Sequence, residues 1–376
     1  MVALGYQKTG LGRRIALSLV KALGGRTLGL GYAVALSDLV LAPFTPSNTA
    51  RSGGTIYPIV ESIPPLYGSL PGQTARRIGS YLIWTALATT CVTSSMFLTG
   101  VAPNLLGVAL VAKMAKVSFS WGQWFMGFLP LGILLFLSVP LVIYWLYPPE
   151  IKRSDNVPAW AASELKKIGP LTAGELKMAA LVILALTLWI GGASWINATA
   201  VAVGIVALMI VLGVISWDDA LGNRQAWNVL IWFATLVTLA DGLSRVGFLA
   251  WFAHGAAGVL HGVPIMTFVL ASVALFFLMH YMFASITAHT AALLPVFLVA
   301  AAGVPGVPIK LLALALLYTL GLMGILTPYA TGPGPIYFGS GYISRKDFWI
   351  LGLIFGAIFL AGLLFIEVPY LSTLYR

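Results

Sequence analysis

TPSNTARSGG, residues 45–54, gathers Thr45, Ser47, Asn48, Thr49 and Arg51 with two glycines between apolar arms on either side. Polar residues are scarce elsewhere. Of 376 residues, 60% are hydrophobic and only 9% are charged, against about a quarter charged in soluble domains. Apolar runs near the roughly 20 residues that cross a bilayer as a helix recur along the chain. They are continuous rather than alternating, which excludes a β-barrel. The chain therefore reads as an all-α polytopic membrane protein, and the polar cluster lies at membrane depth.

The arms around the cluster, within 27–62, each look too short to span, so the pair reads as a re-entrant helical hairpin. Non-helical backbone is tolerated at that depth only where protein or a cavity surrounds it. A basic amphipathic surface helix precedes it (1–25). An apolar run broken by TSSMFLTGVAPN follows (78–117), and then a closing span (122–147). The polar stretch 148–175 is a cytoplasmic linker. Spans follow near 176–192, 195–215 and 226–244, with a short amphipathic piece at 248–260. A second two-armed segment (264–302) is centred on FASITAHTAALLP. A second broken span (309–340) contains TPYATGPGPIYFGSG, and a last span runs over 348–368.

The halves rhyme. Ser47 to Arg51 aligns with Ser285 to His289, each followed by a proline (Pro58, Pro295), and WFMG (124–127) matches WILG (349–352). Three spans separate the linker from the second hairpin, so that hairpin enters from the opposite face. This is the inverted repeat of secondary transporters, in which paired Gly/Pro-interrupted segments mark the binding site. The division is 1–147 for the first repeat, 148–175 for the linker and 176–376 for the second repeat. The first half lacks spans equivalent to the three at 176–244; the reading is that they belong ahead of residue 1, the alternative being a shortened variant.

Charge supports this topology. The net charge is +10, and fifteen of the 21 basic residues fall on the side of the linker, as cytoplasmic segments do. That distribution argues for membrane contact and against nucleic acid. The lone cysteine, Cys91, and four histidines without an HExxH motif give no metal site. The aromatics at 121–125 read as an interfacial belt, and His254, His261, His280 and the Asp241–Arg245 region as unremarkable.

Four helix interruptions at membrane depth expose unpaired N–H and C=O groups, and helix N-termini favour anions. Neutral donors can then hold a carboxylate without a buried fixed charge. The candidate anion-binding residues are Ser47, Asn48 and Thr49 in the first tip, and Ser285, Thr287, His289 and Thr290 in the second. The breaks add Thr99, Gly100 and Asn104, and Thr331, Gly332 and Pro333. Arg51 is a candidate charge partner for the anion; the alternative is that it pairs with Asp38 across the hairpin and braces it. His289 is equally a hydrogen-bonded structural residue or a ligand.

KTGLGRRIA, LAPFTPSNTARSGG, FASITAHTAALLP and LTPYATGPGPIYFGSGYISRKDFW together closely resemble the divalent anion/sodium symporter family. The resemblance is closest to its di- and tricarboxylate exchanger branch. It implies a homodimer in the cell inner membrane, with hairpins, broken spans and closing spans forming a mobile, elevator-type domain. It places substrate carboxylates on Ser47, Asn48 and Thr49 and on the partner motif of the second hairpin. No cofactor is implied. Ile286 stands where the sodium-coupled pattern has an asparagine, which favours exchange of citrate, succinate, tartrate, malate or 2-oxoglutarate-type anions. The alternative is a sodium-coupled symporter for the same anions. A membrane enzyme is disfavoured because neither GxSxG nor HExxH is present.

Overall fold

The computed structural model describes residues 1–192, 195–247, 251 and 263–375. Within them the chain is helical, with one isolated antiparallel bridge, Arg26 to Arg153. The segment 248–260, His254 and His261 lie outside the described residues apart from Trp251, as does the side chain of Asp241.

The N-terminal segment is two helices rather than one, α1 (Val2–Thr9) and α2 (Leu11–Leu23). Between them Gly10 adopts φ 77°, a left-handed turn that glycine makes without strain. One face of α2 buries Leu11, Ala16, Leu17 and Val20, while Arg13 and Lys21 stay exposed. Arg14 fastens that face. Its guanidinium holds Glu175 at 2.6 and 3.1 Å and the carbonyls of Gly169 and Pro170 at 3.0 and 3.1 Å.

The first hairpin arm is α3 (Thr27–Leu41), extended by a 3-10 turn over Ala42–Phe44. At 18 residues, Thr27–Phe44 is long and apolar enough to cross a membrane, which corrects the expectation of a short arm. The return arm is irregular as expected. Thr49–Ile56 is π-helical and passes into α4 (Tyr57–Ser62).

α5 (Gly79–Met96) is buried along its whole length, hydroxyl residues included. A helix enclosed on all sides belongs at the centre of a large protein. After a break at 97–101, α6 (Ala102–Ala115) continues the first broken span. α7 (Trp121–Leu146) opens on a reciprocal cap in which Ser120 and Gln123 each accept the other's backbone N–H at 3.1 Å. Trp121 and Trp124 are buried, and Trp121 stacks on Phe97, Phe125 and Trp189. These aromatics are core rather than an interfacial belt.

The linker contains a helix, α8 (Asn156–Ile168), against which α2 docks. Then come α9 (Ala173–Gly191), α10 (Ala198–Val211), α11 (Trp217–Gly222) and α12 (Arg224–Arg245). The second two-armed segment is α13 (Ile265–Leu278), a 3-10 turn at Met279–Met282, and α14 (Ile286–Ala302). α15 (Ile309–Leu322) and the short α16 (Gly334–Gly339) flank the second break. α17 (Arg345–Gly362), a π-helical turn (Leu363–Glu367) and α18 (Val368–Leu374) form one 30-residue apolar helix.

α5 and α15 cross at the centre. Ser95 Oγ donates to the Tyr318 carbonyl at 2.7 Å and accepts the Leu322 N–H at 3.1 Å. Gly321 permits the approach, because a Cβ there would lie 2.5 Å from the Ser95 nitrogen. The initial helices of the two broken spans thus form the core, and both breaks open beside it. Among the described residues, five helices are long and apolar enough to cross a membrane.

Candidate functional site

The first hairpin tip reaches the second break. Asn48, 6% exposed, donates from Nδ2 to Thr331 Oγ1 at 2.8 Å. One residue further along both segments, Thr49 lies against Gly332 so closely that a Cβ on the glycine would come 1.9 Å from Thr49 Oγ1. Ser47 Oγ accepts the Ala50 N–H at 3.2 Å and so turns the chain into the π-helical arm. Ser47 and Thr49 are half-buried and Gly332 is exposed, so this junction faces an opening. Pro333 caps α16, its carbonyl accepting the Ile336 and Tyr337 N–H groups at 3.0 and 3.1 Å. The return arm continues onto α16, where Ser52 and Tyr337 share a hydroxyl hydrogen bond of 2.8 Å.

The same hairpin is locked to the first break. Arg51 is 1% exposed. Its Nε faces both Asp38 oxygens at 3.2 Å, and Nη1 donates to the Thr45 and Gly100 carbonyls at 3.0 and 2.7 Å. Nη2 meets the hydroxyls of Thr90, Thr93 and Ser94 at 3.1, 3.3 and 3.0 Å. A guanidinium has five N–H donors, and protein acceptors surround all of them. Of the two readings of Arg51, the geometry is that of the Asp38 partner and brace. Thr93 also donates to Asp38, and Thr99 to the Pro43 carbonyl. Asn104 caps α5 through Nδ2 to the Ser94 and Phe97 carbonyls at 2.7 and 3.1 Å, leaving its buried Oδ1 without a partner.

The second tip has different company. Ser285 is exposed and caps α14 by accepting the Ala288 N–H at 3.3 Å, while Thr290 returns its hydroxyl to the Ile286 carbonyl at 2.8 Å. Thr287 is half-buried. His289 is buried, caged edge-on by Phe276, Phe283 and His280, and neither ring nitrogen is hydrogen-bonded. His280 ties this hairpin to the second break through Nε2 and the Ala330 carbonyl at 2.7 Å. Tyr329 Oη adds a 3.2 Å bond to the Tyr281 carbonyl. The second break therefore receives both hairpins, the first at Thr331 and Gly332 and the second at Ala330.

Among the described residues, no group of three His, Cys, Asp or Glu side chains gathers as metal ligands. A half-open cavity of about 650 Å³ runs from Gly54 and Thr55 down the return arm to Ser62, walled by α1, α2 and α8. At its edge Glu164 accepts from Lys167 and Arg13 at 2.6 and 3.0 Å, and these bonds hold its carboxyl below the usual range.

A buried helical core, a hairpin tip meeting the second break at a junction of neutral donors, and an internally neutralised arginine define a helical membrane carrier. The chain belongs to the family described as the sodium:sulfate symporter transmembrane region, whose model matches residues 1–375. It is 51% identical to the L-tartrate/succinate antiporter of Escherichia coli K12, covering 99% of this chain and 77% of that protein. It is 50% identical to the citrate/succinate antiporter of the same strain, covering 98% and 76%. The fold is similar to that of the YdaH transporter of Alcanivorax borkumensis, with a TM-score of 0.66 at 16% identity over 99% of this chain and 84% of the other.

Proposed function

We propose that the protein is a secondary transporter of the cell inner membrane that exchanges di- and tricarboxylates of the citrate, succinate, tartrate, malate and 2-oxoglutarate class. The relatives of about half identity, named as tartrate/succinate and citrate/succinate antiporters, support the reaction class. The observation that carries the site is the Asn48–Thr331 hydrogen bond beside Thr49 and Gly332. It brings an amide, two hydroxyls and a closely packed glycine together at one opening, while the nearby Arg51 is taken up by protein acceptors. A carboxylate entering there exchanges Asn48 and Thr331 as partners for its own oxygens, and charge-assisted bonds of this kind are roughly twice as strong as neutral ones.

In this reading Ser47 and Thr49 complete the first side. Ser285, Thr287, His289 and Thr290 supply a second side once the second hairpin approaches the tip. The segments 27–62 and 264–302 act as re-entrant hairpins of two inverted repeats, 1–147 and 176–376, joined by the linker 148–175. Hairpins, broken spans and closing spans move as one elevator domain against the scaffold of a homodimer embedded in lipid.

Counterflow in proteoliposomes tests the reaction. Internal succinate is set against labelled external citrate, tartrate, malate or 2-oxoglutarate, with and without sodium. An absolute need for an internal anion, unchanged by sodium, is expected. Uptake into empty vesicles driven by a sodium gradient would establish the symport alternative instead.

A further inference from the structure

The last apolar helix, Arg345–Leu374, carries a buried carboxyl group in its last third. Glu367 ends the π-helical turn Leu363–Glu367 and is 0% exposed. Pro369 accounts for the wide turn. Having no N–H, it cannot donate to the carbonyl four residues back, and Val368 N–H donates five residues back, to Leu363. π turns of this kind cluster at functional positions. Neither carboxyl oxygen of Glu367 has a hydrogen-bond partner.

Among the described residues, none supplies Glu367 with a counter-ion. The π turn packs against α7, α13 and α15 and is continuous with α17 and α18. From α15, Tyr318 faces it, but that hydroxyl already donates to the Trp124 carbonyl at 2.9 Å. Tyr370, three residues after Glu367, donates its hydroxyl to the Met126 carbonyl at 3.3 Å, and Lys310 sits over the Tyr375 ring at 4.5 Å. α13 has no titratable residue, Tyr144 of α7 is against Tyr81 at that helix's other end, and Arg345, Lys346 and Asp347 are in the first turn of α17. An ionised carboxylate buried without donor or cation is costly enough that such a group takes up a proton instead. Ionisable residues within membrane-spanning helices are functional candidates by default.

We propose that Glu367 is a proton-binding site, and that its neutral, protonated form is the form in which the carrier exchanges anions. At alkaline pH hydroxide removes the proton, giving water and a carboxylate. The new charge lies where the two closing spans, the second two-armed segment and the second broken span meet. Those elements must then separate enough to hydrate it, and the packing that lets them move together is lost. The gating half of this proposal rests on the antiporter reading.

The test is succinate exchange by the purified protein in proteoliposomes, at equal pH on both sides, from neutral to alkaline values where succinate stays a dianion. Wild-type exchange is expected to fall on the alkaline side, by about tenfold per pH unit beyond the midpoint, following the neutral fraction. Glu367→Gln, which copies the neutral acid, is expected to exchange without that fall. Glu367→Asp is expected to keep a fall with a displaced midpoint. In infrared spectra the wild type should show a carboxylic-acid carbonyl band at neutral pH that Glu367→Gln lacks. An equal alkaline fall in Glu367→Gln, a folded Glu367→Gln protein inactive at every pH, or absence of the band would each overturn the proposal. If the wild type exchanges no anion at any pH, the antiporter reading fails with the gating, and the infrared comparison still decides whether Glu367 holds a proton.

Discussion

Arg51 Nη1 donates to the Gly100 carbonyl at 2.7 Å, which ties the buried cation of the first hairpin to the break in the adjoining span. With Asp38 in the opposite arm and three hydroxyls on α5 completing its shell, Arg51 joins three segments into one body. Removing one member of a buried ion pair costs about 3–5 kcal/mol, because the other charge is stranded. Arg51→Met is therefore expected to lower the unfolding midpoint in detergent sharply. The double variant Arg51→Met, Asp38→Leu should recover part of the loss. No recovery would mean the pair is not the source of the stability.

Gly332 is a steric prediction. A methyl at this position would lie 1.9 Å from Thr49 Oγ1, so Gly332→Ala should drive the first tip off the second break and cost at least about tenfold in exchange, the effect of roughly 1.4 kcal/mol. Adding Thr49→Ala removes the blocking oxygen. It should restore the unfolding midpoint without restoring exchange, because that hydroxyl belongs to the proposed site. Normal exchange in Gly332→Ala would show that the contact is dispensable.

The core crossing makes a paired prediction. Gly321→Ala puts a Cβ 2.5 Å from the backbone nitrogen of Ser95, and overpacking of that kind costs about 1–3 kcal/mol. Gly204→Ala, in α10 with nothing within 4 Å, should be neutral or slightly stabilising. Thermal unfolding of the two variants side by side checks the assignment of α5 and α15 as the centre.

Sidedness can be read with cysteines, since Cys91 is free and buried and should leave the background silent. Gly54 and Ser285 are both exposed. An impermeant maleimide should label Gly54→Cys from the cytoplasmic face and Ser285→Cys from the opposite face. Labelling of both from one side would rule out the inverted, re-entrant arrangement.

Much of the architecture is written locally. The apolar runs, the Gly/Pro interruptions and the Ser/Thr clusters locate the broken spans and both tips, because each signal concerns neighbours in sequence. The Asp38–Arg51 pair was legible as one of two options, since opposite arms of a hairpin face each other. The Asn48–Thr331 contact was not legible as a pair, because it spans 283 positions and no local rule selects Thr331 over the hydroxyls beside it. The first arm reads as short from its apolar run alone, whereas α3 and the 3-10 turn after it together reach 18 residues at Phe44. Trp121 and Trp124 resembled a belt because aromatic residues near a span end look alike whether they face lipid or stack inward. Glu367 passed as part of an apolar span; the signal was a lone acid two residues before Pro369 in LLFIEVPYL.

The central claim is that the Ser47–Thr49 tip and the second break hold the carboxylate together. Labelled succinate counterflow by Asn48→Ala, reconstituted at the same protein density as wild type, tests it most directly. The account predicts loss of counterflow with normal membrane insertion and an unfolding midpoint lowered by no more than one hydrogen bond's worth, about 0.5–1.5 kcal/mol. Wild-type counterflow from the Asn48→Ala protein would contradict it.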